Sequence, residues 1–148
     1  MAMNTSKVLV GGIVAGIVLN VIDWFVYTKL LATRMAAAMD AYKPGSSAMM
    51  MSGNAITIYI ITDFVFGLLL VYTYAAVRPR LGPGPRTAAT VAGLFWLFAT
   101  FINANQLIMG MMDTNLFWQT SLIQLITLVL GTWFGAMVYT EAGESAPA

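Results

Sequence analysis

The chain has 148 residues, 59% hydrophobic and only 9% charged, with a net charge of +1 and a mean hydropathy of +0.80. A soluble domain carries roughly 25% charged residues, so this composition excludes a water-covered globule, and it offers no clustered basic surface for nucleic acid. With no Cys and no His, disulfides, thiolate metal sites and the commonest general base are excluded as well.

A span needs about 20 mostly apolar residues, and within lipid only a helix satisfies its own backbone. Four stretches meet the requirement, near 8–28, 55–77, 87–109 and 116–139. The predicted fold class is therefore an all-α membrane protein, a four transmembrane helix bundle forming one integral membrane domain over 1–148. The first stretch begins after Lys7 and resembles a signal peptide in its apolar core. It runs on through Trp24-Phe25-Val26-Tyr27 without a small-residue cleavage site, which favours a retained span.

After the first span, residues 29–43 read as a short interfacial helix. Lys29, Thr33, Asp40 and Lys43 share one helical face, while Leu31, Met35, Ala38 and Tyr42 share another. Such a helix suits the headgroup boundary, or equally a cap packed on the bundle. Pro44-Gly45-Ser46-Ser47 ends it. Spans two and three are joined by residues 78–86, which hold Arg78, Arg80 and Arg86 with no acid. Three prolines and two glycines there predict a stiff turn that cannot continue a helix. The positive-inside rule makes this hairpin the cytoplasmic anchor and places both termini inside, by four Lys/Arg against three. Residues 110–115 form the last, short connection, and residues 141–148 read as a polar, disordered tail.

The polar residues within the spans carry the functional signal. Counted from their cytoplasmic-side anchors, Asp23, Asp63, Asn103 and Gln124 each lie fifteen to seventeen residues in, about 23–26 Å by helical rise. Asn20 and Gln106, with Thr62, Asn105 and Thr127, fall within a turn or so of them. Charged groups in a span face the bundle interior or a cavity. The layer is thus either a proton or cation site built on Asp23 and Asp63 or a hydrogen-bonded layer that fixes helix register.

Two small-residue pairs, Gly12 with Gly16 and Gly131 with Gly135, permit close helix approach and suggest that spans one and four touch. Of eleven methionines, Met49, Met50, Met51, Met109, Met111 and Met112 are candidates for a thioether copper site. The competing reading is adaptable apolar filling, and no other metal is expected. Trp96, with Phe95 and Phe98 near mid-membrane, reads as core or as a lipid or pigment contact. No nucleophile–base pair can be named, so no catalytic residue, cofactor or enzymatic activity is expected.

The stretch RPRLGPGPRTA at 78–88 resembles the hairpin between spans two and three of small uncharacterised four-span bacterial inner-membrane proteins. That resemblance implies a bacterial inner membrane and the four-span layout, and it brings no activity or site residues with it. The small multidrug-resistance transporters share the span number but carry a Glu in the first span, which this chain lacks. The expected function is a non-enzymatic protein working by helix association. It would be an accessory or structural subunit partnered by other membrane subunits, or a homo-oligomer, with the lipid bilayer around it. A small proton- or cation-coupled transporter is the alternative.

Overall fold

The computed structural model describes residues 3–141, and all regular structure among them is helical. In chain order the elements are α1 (Thr5–Phe25), a π-helical turn (Val26–Leu30), α2 (Ala32–Tyr42), α3 (Ser46–Met50), α4 (Gly53–Leu81), α5 (Pro85–Ile108) and α6 (Thr114–Val138). Four of these segments, Thr5–Leu30, Gly53–Leu81, Pro85–Ile108 and Thr114–Val138, are long and apolar enough to cross a membrane.

Local chemistry sets the helix starts. The side chains of Asn4, Ser52 and Asp113 cap α1, α4 and α6 by accepting from the N–H groups of Lys7, Ala55 and Leu116, each satisfying one otherwise orphaned donor. α5 opens on Pro85, whose missing N–H costs nothing at that position.

The expected break at Arg78 does not occur. α4 runs through Pro79 to Leu81, because a proline in the last turn forfeits one hydrogen bond and the helix ends before more are lost. Gly82 then donates to Arg78 O at 2.8 Å. The turn itself is confined to 82–84, where Gly82 and Gly84 hold φ of 83° and 118°, values that only glycine adopts without strain.

α1 sits at the centre, packed most extensively on α4 and α6, while α5 packs mainly on α6. Close approach explains the first two contacts. A Cβ on Gly67 would stand 2.5 Å from both Gly12 O and Gly16 N, and one on Gly11 would stand 2.6 Å from Gly135 O. Spans one and four, α1 and α6, therefore meet through Gly11, Ala15 and Leu19 against Gly131 and Gly135. The Gly12 and Gly16 pair faces a different neighbour, α4, at Phe64, Gly67 and Leu68. A single stripe of small residues thus serves two interfaces, one on each flank.

The main core, from Val8 and Ala15 through Leu70, Val71, Tyr74, Val91, Leu128 and Tyr139, fills the half of the bundle near the α4–α5 hairpin. At the far end a smaller cluster joins Met112, Leu116 and Phe117 to Met35 and Ala38 of α2 and to Ala104 and Leu107 of α5. Met35 and Ala38 of the apolar stripe expected on residues 29–43 therefore pack on the end of the bundle, whereas Tyr42 is exposed. Arg34 of α2 makes one cross-contact, its Nη1 donating to Gln119 Oε1 of α6.

At the hairpin end an ion pair closes the bundle. Arg78 and Glu141 meet at 3.1 Å with both side chains nearly buried, and the Arg78 guanidinium lies 5.7 Å from the Tyr139 ring. Tyr139 stacks edge-on with Tyr74 and its hydroxyl accepts from Asn4 N–H, while the Tyr74 hydroxyl accepts from Gly84 N–H. Arg78 of the expected cytoplasmic anchor is thus paired and nearly buried, and Glu141, the first residue of the expected tail, packs against it. The remainder of that tail, 142–148, lies outside the described residues.

Candidate functional site

The far half of the bundle is open on one side. No residue of α4 before Gly67 is buried, and none of α5 after Ala92. Consecutive in sequence, these two helices touch only sparingly, their clearest contact being Phe66 edge-on to Phe95. The intramembrane acids lie in this region.

Asp23 and Asp63 are both half-buried. Asn20, Asp23 and Tyr27 recur at helical spacing along α1, and Tyr59 with Asp63 along α4. The cluster therefore joins one edge of α1 to the edge of α4 beside it. Asn20 ties the two together, donating to Gly16 O at 2.9 Å and to Ile60 O at 3.4 Å. Among the described residues neither carboxylate makes a hydrogen bond or an ion pair; the single ion pair joins Arg78 and Glu141.

Helix register spreads the expected layer over several depths. Gly12 lies against Leu68, Gly16 against Phe64 and Asn20 bonds Ile60, so Asp63 stands beside Ile17, about 9 Å nearer the hairpin than Asp23. Gly11 lies against Gly135 and Ala15 against Gly131, which brings Gln124 level with Asp23. Asn103 accepts from Gln106 on its own helix at 3.3 Å, near the small far-end cluster rather than beside the acids. Counting from anchors placed all four at one level because it treated Lys7 and Arg78 as level. In the structure α4 reaches more than a turn beyond that point.

The π-helical turn was not legible from the sequence. Leu31 donates to Val26 O, five residues back, at 2.8 Å, and Thr28 Oγ1 donates to Trp24 O at 2.6 Å. Such turns recur at functional positions, and this one carries Tyr27.

A second polar cluster joins α5 and α6. Trp96 Nε1–H donates to both Ser121 O at 2.8 Å and Ser121 Oγ at 3.1 Å, and the Ser121 and Thr100 hydroxyls lie 2.9 Å apart. Every polar group in it finds a partner inside the protein, so its role is to join two spans. The methionines are dispersed. Met112 is buried beside Met35 in the far-end cluster, whereas Met49, Met51 and Met109 are exposed. Among the described residues, no group of three or more acidic, His or Cys side chains is placed to hold a metal ion.

In comparisons with known proteins, no family model, no curated protein and no solved structure matches the chain.

Proposed function

We propose that this chain is a non-enzymatic multi-pass membrane protein that works by helix association, as an accessory subunit of a larger complex or as a homo-oligomer. One observation supports this reading: two half-buried carboxylates, Asp23 and Asp63, lack any partner among the described residues on the side where α4 and α5 part. Charged groups at such depth are costly to leave facing lipid, and polar groups from a neighbouring helix would satisfy them. In this reading the basic 78–86 hairpin favours an orientation with that end and both termini on the cytoplasmic side of a bacterial inner membrane, and α2 lies at the opposite membrane boundary. Gentle purification followed by native mass spectrometry tests the reading. A defined hetero-complex or homo-oligomer is expected; a chain that is monomeric at every detergent concentration contradicts it.

The clustering of Asp23, Asp63, Tyr27 and Tyr59 favours a second reading, a proton- or cation-coupled carrier using the two acids. Under that reading a hydrophobic carbodiimide labels Asp63 in a pH-dependent way and stops ion flux in reconstituted vesicles. Labelling with no flux to inhibit counts against it.

A further inference from the structure

Spans one and two are direct neighbours, with Asn20 of α1 donating to Ile60 O of α4. The chain between them nevertheless takes a long way round. It leaves α1 and crosses to the α5–α6 turn, where Met35 and Ala38 pack on Met112, Leu116 and Phe117. It then returns through α3 to the start of α4. The excursion is a strap across the far end of the bundle, over the half in which α4 and α5 part.

The strap is one body on two joints. Ser46 Oγ donates to Met39 O at 2.7 Å and Ser47 N–H to the Asp40 carboxylate at 3.0 Å, so α2 and α3 are tied together. The first joint is the π-helical turn, flanked by the buried side chains of Val26 and Leu31. Beyond it neither α2 nor α3 has a buried residue. At the second joint Ser52 is extended, with φ −67° and ψ 151°. Between the joints, half-buried Met35 and Ala38 and the exposed hydrogen bond from Arg34 to Gln119 hold the strap down. Segments with few buried contacts and exposed bonds open at low cost, and lids turn on a few residues at the ends of elements.

We propose that the α2–α3 strap is a lid, swinging on the π-helical turn, that controls entry of water and its solutes to the half of the bundle holding Asp23 and Asp63. With the spans in a membrane, the open side meets hydrocarbon, so water enters that half from the far end, beneath the strap. The proposal rests on the four spans lying in a membrane and on neither reading of the acids, so its failure leaves both standing.

The test is thiol accessibility in lipid nanodiscs, where both faces of the full chain meet solvent. The chain has no Cys, so one introduced thiol reports alone. Gln124 is half-buried and shares a face of α6 with Leu128, Gly131 and Gly135, the face against α1. Gln124→Cys is expected to react slowly with a cationic methanethiosulfonate. Arg34→Ala, at an exposed position, should speed the reaction about fivefold, the effect of losing one hydrogen bond. Ala38→Asp, which sets a charge against Met112, Leu116 and Phe117, should speed it further. Ile126→Cys, at a site 59% exposed on the same helix, faces lipid and should stay unreactive throughout. A Gln124→Cys rate that neither strap variant changes overturns the proposal. So does a rate already fast with the strap intact, or a rise matched at Ile126→Cys.

Discussion

At the scale of single residues, the glycines divide into those that fill contacts and those that do not. Gly67 lies against the α1 backbone, where a Cβ would stand 2.5 Å from Gly12 O. Backbone cannot yield as a flexible side chain can, so Gly67→Ala should destabilise the bundle by about 1–3 kcal/mol. Gly93 has nothing within 4 Å of a built Cβ, and Gly93→Ala should be neutral or stabilise by up to about 1 kcal/mol. Thermal unfolding of both variants in one detergent checks the contrast.

Asp40 supplies the pH-sensitive contact outside the spans. The Ser47 hydroxyl at 2.6 Å and the Ser47 N–H at 3.0 Å both donate to its carboxylate and hold its pKa below the ordinary 3.8. Because the folded value is the lower one, this stabilisation of the α2–α3 turn is fully present above pH 3.8 and fades as pH falls through the folded value. Amide exchange at Ser47 should therefore accelerate on acidification below pH 3.8 relative to exposed reference amides, and Asp40→Asn should abolish that pH dependence.

At the scale of elements, two polar clusters join helices that apolar contacts alone leave loosely specified. Trp96 and Ser121 connect α5 to α6. A double-mutant cycle between Trp96→Phe and Ser121→Ala should return a coupling of about 0.6–2 kcal/mol, the range for hydrogen bonds between spans. The Arg78–Glu141 pair joins the end of α4 to the chain leaving α6, with both side chains about nine-tenths buried. Removing one member of a buried pair strands the other charge, so Glu141→Ala should cost about 3 kcal/mol in unfolding measured in micelles. Neither cluster announced itself in the sequence. Trp96 reads as a large apolar group until Ser121 is seen opposite it, twenty-five residues away, and Glu141 reads as the start of a polar tail until Arg78 is seen to be buried.

At the scale of the whole molecule, the spans were legible because each needs only a local run of apolar residues, and 59% of the chain is hydrophobic. Contact between spans one and four was legible in Gly131 and Gly135, whose small size permits close helix approach. The depth of the acids was not, because it depends on the register of α1 against α4, which Gly12, Gly16 and Gly67 fix jointly. The open side was equally hidden. Phe98, which reads equally as core or as a lipid or pigment contact, is 69% exposed, and Phe101 one turn on is 77% exposed. Packing concentrated near the hairpin and sparse at the far end gives a bundle in which Asp23 and Asp63, without a partner among the described residues, lie in the sparsely packed half.

The most direct test of that account is photo-crosslinking in native membranes from positions on the open side and on the lipid face of α1. With the photoreactive residue at Thr62 or Phe98, the account predicts a discrete adduct of one added protein mass, absent when the same residue replaces Ile13. No protein adduct at either open-side position, with lipid adducts alone at all three sites, would contradict association as the function of this chain.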